Sequence, residues 1–468
     1  MITRIHTHCL IRIAMVAVLL SLSLNSFTSV QGVQGQTEPR REELLNGLHV
    51  LISSQPANPN VTILLRIHSG AAFDLAGKSG AMALLGDQLF PDPETHDFFI
   101  EELGGSLQVT VDYDAVNISM TGRASEFERM VEILRTALIS TPITVGNVAR
   151  LREARIKMNR EMSVAPSFVA DRAIARRLFG DYPYGRTIGG TAETLARVDR
   201  VDLMLARERF HAPDNSTLVI IGGVQESRAL RASRQLLGAW RKSDKLVPAT
   251  FRMPDEPDTK TLIVDMPFAD SVDLRLAVRS LARSDRDYLA ATLLTKLVHD
   301  RWRTALPELD RSSFFVRNES FLLMGMFVMG VSVRTTETSK ALETAKNSLR
   351  FFVDSPVSAE EIERVRSEVV AGANKEANEP ARLAAMWLDI ASYKLPSGSD
   401  QMRSLSRITA ADVQRVAIRL FRDTAMASVV VGNASIVKPD LERAVKVEVS
   451  GESRETMPPV PAIPAKSP

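Results

Sequence analysis

Apolar positions along this chain fall into short alternating runs and longer helical stretches, and the same order of runs occurs twice. Gly47–Ser54 alternates as a strand would and is broken by Gln55, Pro56 and Pro59; Val61–His68 reads as a second strand. Gly80–Phe90 then places Leu84, Leu85 and Leu89 close to one helical face. A short helix over Phe98–Leu103 stops at Gly104 and Gly105, and two adjacent strands follow at Ser106–Tyr113 and Ala115–Thr121. Ser125–Leu138 is helical, and Thr144 caps a long helix that runs through Met162 and is interrupted at Pro166. Further helices to Leu178 and over Arg200–Phe210 lead into the apolar strand Thr217–Ile221, which ends at Gly222 and Gly223.

The second half repeats this order. Strands at Thr261–Asp265 and Leu274–Val278, a helix over Asp287–Thr304, a strand over Met324–Val333 and a helix over Thr336–Val353 follow one another. Ser355-Pro356-Val357-Ser358 matches Thr141-Pro142-Ile143-Thr144 at an offset of 214 residues; Ala411-Asp412-Val413 matches Val201-Asp202-Leu203, and Val429–Gly432 matches Val219–Gly222, both at 210. Offsets that agree this closely over half a chain predict two homologous halves. The expected organisation is a leader over 1–35, a first domain over 36–225, a linker over 226–258, a second domain over 259–438 and a proline-rich tail over 439–468 that is disordered at its end.

Composition narrows the function classes. Of 468 residues, 45% are hydrophobic and 24% charged, with a net charge of +2 and no basic tract, so nucleic acid is not an expected partner. Arg4 and Arg12 precede the apolar run Ile13–Leu24, and small and polar residues follow. This is the pattern of a cleaved secretory signal, too short to span a bilayer, with no later span. The single cysteine, Cys9, lies before that run, so the mature chain has neither disulfides nor a Cys-ligated metal. His49, His68, His96, His211 and His299 are not paired at helical spacing, and Asp92, Glu94 and His96 read as a surface loop.

The stretch Gly80–Phe90 resembles the zinc helix of the pitrilysin/insulinase metallopeptidases, whose pattern runs G-L-A-H-F-L-E-H-M-L-F. So do Ile100–Leu107, Leu178–Gly185 and Pro213–Gly222, and with the Ser-Pro-Val-Ser helix they extend the resemblance over about 40–437. It implies an α+β fold of two similar halves, each an antiparallel sheet with helices packed on one face, in the manner of LuxS and mitochondrial processing peptidase. In the family two histidines one helical turn apart bind zinc and the glutamate between them activates water. Here Ala83, Gly86 and Asp87 occupy those positions, and Met158 stands where the third ligand, a glutamate, aligns, with Glu161 one turn away. Pro307 and Phe314 replace the arginine and tyrosine that stabilise the oxyanion in active members.

The expectation is therefore a secreted, periplasmic, non-catalytic subunit without zinc. It would pair with a homologous zinc peptidase, or with itself, to close a peptide-binding chamber. The resemblance assigns peptide binding to the edge strand Ser106-Leu107-Gln108-Val109-Thr110, through backbone hydrogen bonds that need no metal. Two alternatives stand beside it: an active metallopeptidase with displaced ligands, and a peptide-binding scaffold with no peptidase partner.

Overall fold

The computed structural model describes residues 38–243, 248–310 and 313–451. The expected signal segment and the proline-rich end of the tail lie outside these residues.

The first half opens with β1 (Arg40–Glu43), β2 (His49–Ser54) and β3 (Asn60–Ile67), followed by α1 (Ala81–Asp87) and α2 (Glu94–Glu101). The hairpin of β4 (Ser106–Val111) and β5 (Val116–Arg123) leads to α3 (Phe127–Arg135), α4 (Val145–Met162) and α5 (Pro166–Phe179). Then come α6 (Ala192–Ala196), α7 (Arg200–Phe210), β6 (Ser216–Gly222) and α8 (Glu226–Leu237). The second half runs β7 (Thr261–Asp265), β8 (Val272–Ser280), α9 (Tyr288–Ala305), β9 (Phe315–Ser320) and β10 (Gly325–Val333). It continues through α10 (Thr338–Asp354), α11 (Ala359–Ala377), α12 (Pro380–Tyr393), α13 (Gly398–Leu405) and α14 (Ala410–Ala417) to β11 (Met426–Gly432), α15 (Ala434–Leu441) and β12 (Val447–Gly451).

Each half builds a six-stranded sheet, in the orders β1-β2-β6-β3-β5-β4 and β12-β7-β11-β8-β10-β9. Both are mixed rather than purely antiparallel. β2 lies parallel to β6, and β7 lies parallel to β11 and to β12. In each half the long helical excursion returns the chain in the direction it left, which is what a parallel pair requires.

Helices cover both faces of each sheet, where the sequence suggested one. β3 sends Val61, Ile63, Leu65 and Ile67 into the first core, beside α3, α7 and α8. Its opposite face, with Leu51, Leu64, Val219 and Ile221, is covered by Trp387 and Leu388 of α12, a helix of the second half. The exchange is reciprocal: Val169, Ala170, Ile174 and Leu178 of α5 pack on Ala277, Val328, Val429 and Val431 of the second sheet. Both exchanged helices begin with a proline at the first position, Pro166 and Pro380, where its missing N–H costs nothing.

An ion pair ties each exchanged helix to its sheet. Arg66 of β3 meets Asp389 of α12 at 2.8 Å, and Arg275 of β8 meets Asp171 of α5 at 2.6 Å. Alternation along β3 and β8 predicts an arginine on the second face of each strand. Only the exchange supplies a carboxylate to meet it.

Two stretches fall differently from the expected boundaries. Residues 226–240 begin the expected linker, yet Ala229, Leu230, Leu237 and Trp240 are buried in the first core. The apolar stripe of α8 takes that stretch into the first half. At the other end β12 pairs with β7, so the second sheet continues past residue 438. Its short Val447-Glu448-Val449-Ser450 alternation lies in the stretch expected as tail.

His211, at the end of α7, is fully buried, and burial pushes its imidazole down to about 3. The unfolded chain takes up a proton near pH 6.5 that the folded chain refuses, so this group's contribution is present above pH 6.5 and is lost as pH falls. His211→Phe is expected to gain about 1.4 kcal/mol on the wild type per pH unit between pH 6.5 and 5. Urea titrations at several pH values check this; a constant difference would refute it.

Candidate functional site

α1 is short, buried almost throughout, and held from outside. Gly80 takes a left-handed φ of 94° at its N-terminus, and the Asp74 carboxylate accepts from the Gly80 N–H at 2.7 Å and the Met82 N–H at 2.8 Å. Burial pushes Asp74 up to about 7 despite those two donors. The side chain caps a helix whose own N-cap residue, a glycine, has no side chain to do so.

Ala83 and Asp87 stand one turn apart on this helix, and one cation bridges them. Arg155 of α4 binds Asp87 in two places, Nε to Oδ2 at 2.8 Å and Nη2 to Oδ1 at 2.6 Å. The same Nη2 donates to the Ala83 carbonyl at 3.1 Å. Bidentate pairing of this kind is strong and directional. Asp87, the one carboxylate at the degenerate motif, is thus already paired.

Gly86 faces β4. A Cβ there would lie 3.0 Å from Val111 Cγ2 and 3.4 Å from Val109 Cγ1. Valines fill the space that a glutamate side chain would need.

Met158 follows Arg155 by three residues and Met162 by seven, so the three share a helix face, and both methionines are exposed. Glu161, exposed, pairs with Lys157 at 3.9 Å. Ala83, Asp87 and Arg155 therefore meet, with Met158 on the same face of α4, while Gly86 faces β4. Pro307 and Phe314 lie in the second half. Phe314 is buried edge-on against Trp302 with centroids 5.0 Å apart, and Glu308 beside Pro307 pairs with Lys340. Among the described residues no three His, Cys, Asp or Glu side chains gather as a metal-ligand group, and no helix is long and apolar enough to cross a membrane.

Sequence reasoning missed Arg155. Nothing around it marks it among the arginines of α4, and only the packing of α4 on α1 brings it to Asp87.

β4 pairs with β5 alone and forms one edge of its sheet. His96 of α2 donates through Nδ1 to the Leu107 carbonyl at 3.1 Å, so that carbonyl points away from β5. Alternation then directs the backbone groups of Leu107, Val109 and Val111 outward and those of Ser106, Gln108 and Thr110 toward β5. The outer edge is centred on Val109, beside Gly86 of α1. Ser106 is occupied with Thr121, its N–H and hydroxyl meeting that side chain at 3.1 and 3.0 Å.

The β4–β5 turn anchors this edge to both halves. Asp114 accepts from Tyr184 Oη at 2.9 Å, from Tyr393 Oη of α12 at 3.2 Å and from the Leu322 N–H at 2.7 Å. Burial pushes its carboxyl up to about 6, against those donors. Tyr113 packs beside it, tilted against Tyr184 and edge-on to Phe321, at 5.0 and 5.2 Å between centroids.

Comparison with known proteins gives a consistent picture. Residues 197–369 match the family described as Peptidase M16 inactive domain. An uncharacterised zinc protease of Mycobacterium leprae is 22% identical over 273 residues, covering 55% of this chain and 61% of that protein. Subunit 1 of the mitochondrial cytochrome b-c1 complex of Rattus norvegicus is 21% identical over 208 residues, covering 43% of each. The chain thus matches less than two thirds of the length of either relative. Among solved structures, a peptidase M16 inactive domain from Pseudomonas fluorescens superposes with a TM-score of 0.75 at 18% identity, over 84% of this chain and 98% of that one.

Proposed function

We infer that this chain, a homologue of the M16 peptidase family, acts as a non-catalytic subunit that holds an extended peptide beside a catalytic partner. The observation that carries this reading is the Arg155 guanidinium seated on Asp87 and the Ala83 carbonyl. A cation bound covalently to the chain takes the place between the two ligand positions, and Val109 and Val111 crowd the position of the base. Zinc does not fit such a set, which offers one carboxylate already paired. The reading with displaced ligands finds no support at Glu161, which is exposed and paired with Lys157.

The expected partner is a homologous zinc peptidase subunit, with a second copy of this chain as the other arrangement. The rat relative is named as a subunit of a complex, which supports a partnered role. The basic and apolar N-terminus supports export, and we place the mature chain in the periplasm. Affinity capture from native periplasm tests the pairing: a co-purifying peptidase with an intact zinc motif is expected. A monomer that captures none at micromolar concentration would leave the scaffold alternative.

Metal content tests the site itself. The purified chain is expected to hold less than about 0.1 zinc per molecule after dialysis. The triple variant Ala83→His, Gly86→Glu, Asp87→His is expected to remain without peptidase activity, since Arg155 stays and the third ligand and oxyanion groups are absent. Stoichiometric zinc in the wild type, or cleavage of a peptide library by the triple variant, would overturn the reading.

Val109→Pro is expected to weaken peptide binding about fivefold, one ladder bond being worth roughly 1 kcal/mol, with little change in melting temperature. Its lost N–H points outward. Gln108→Pro, whose N–H points toward β5, is expected to cost stability as well. Calorimetric titration alongside thermal unfolding separates the two; equal behaviour of both variants would refute the assignment of the outer edge.

A further inference from the structure

A cavity of about 1170 Å³ opens between α5, the loop that follows it, the inter-half connection and the outer strands β7 and β12. Its walls include Tyr182, Phe251, Met253 and Leu262, and its rim carries Glu448 and Ser450 of β12. Tyr182 and Phe251 meet edge-on with centroids 5.9 Å apart, and Met253 is 66% exposed. An aromatic groove with an exposed thioether is the kind of surface on which proline-rich segments dock.

The chain carries such a segment immediately after this rim. β12 ends at Gly451, and Pro458, Pro461 and Pro464 follow at a spacing of three. A polyproline II helix has three residues per turn, so prolines at a spacing of three fall on one edge of such a helix. Six residues separate Gly451 from Pro458. At about 3.1 Å each they span roughly 20 Å, enough to turn back from the rim.

We propose that the cavity between α5, the inter-half connection and β12 is a docking groove for the chain's own Pro458–Pro464 segment. The tether decides for this occupant over a second copy. A short linker provides an effective concentration of order 1 mM, so even an intrinsic Kd of about 0.1 mM gives about tenfold more bound than free. Docking here joins the last strand of the second half to the loop after α5 of the first, so the segment acts as an internal clasp. This role is independent of zinc and of the β4 edge.

Hydrogen exchange on the full chain tests the clasp. Amides within 250–258 are expected to exchange about tenfold faster when Pro458, Pro461 and Pro464 are all changed to Ser. Met253→Glu, a substitution at an exposed side chain, is expected to have the same effect. A synthetic peptide of residues 452–468, added in excess, is expected to restore slow exchange to the triple-serine chain and to leave the wild type unchanged. Identical exchange in wild type and triple-serine chain overturns the proposal, as does a peptide effect of equal size on both.

Discussion

Arg275→Ala is expected to lower the unfolding free energy by about 3–5 kcal/mol, the range for removing one member of a buried ion pair. The guanidinium is only 3% exposed and bonds to Asp171 at 2.6 Å, Asp273 at 3.2 Å and the Ser167 carbonyl at 3.3 Å. It also lies 4.8 Å from the centre of the Phe315 ring. Asp171 and Ser167 belong to α5, so the arginine joins the second sheet to a helix donated by the first half. Without it Asp273, buried and left with the Ser332 hydroxyl at 2.9 Å, carries an uncompensated charge. Arg66→Ala is expected to cost less, since Arg283 also approaches Asp389, at 3.8 Å. Urea unfolding of both variants checks this; a loss below about 1 kcal/mol for Arg275→Ala would mean that exchanged helix α5 is held by its apolar face alone.

Gly105→Ala is the second large effect, expected at about 3 kcal/mol or more, at the upper end of what overpacking costs. A Cβ at this position would lie 1.9 Å from the Thr121 carbonyl oxygen and 2.4 Å from its carbon. Those are backbone atoms of β5, so relief requires β4 to separate from its only neighbour. Peptide binding at the β4 edge is expected to fall with the stability. Gly104→Ala serves as the comparison. Its φ of 64° is left-handed and the nearest atoms to a Cβ there belong to the Arg123 side chain, at 3.3 Å, so the expected cost is about 1 kcal/mol. Equal losses in the two variants, measured by thermal unfolding, would show that backbone strain and not the β5 contact makes the glycine pair necessary.

Much of the fold was legible in the sequence because periodicity reports local burial. The alternation in Val61–His68, the Thr144 cap and the glycines closing Thr217–Ile221 mark elements that exist for reasons contained within a few residues. β9 escaped notice because it is a half-buried edge strand whose Arg317, Asn318 and Glu319 mask any alternation. The candidate site was legible as a set of losses. Ala83, Gly86 and Asp87 can be read against a helix frame, since a missing imidazole or carboxylate is a property of the residue itself.

What took the place of those groups required the tertiary structure. Arg155 and Asp87 are 68 residues apart, and no pattern links them until α4 lies on α1. The direction of each backbone group on β4 also had to wait, because a one-residue change of register reverses it and bonds to distant residues, from His96 to the Leu107 carbonyl and from the Ser106 N–H to Thr121, fix its sense. The exchange of α5 and α12 is the largest such case. Each helix presents an apolar face that the sequence marks as buried, and burial lowers the free energy of that face against any well-fitted surface. Which sheet it covers depends on the path of the chain and on the paired charges Arg66–Asp389 and Arg275–Asp171. The sequence by itself determined two similar halves without the chemistry of their relatives; the tertiary structure decided that each half completes the other, because hydrophobic burial is non-directional and only geometry gives it an address.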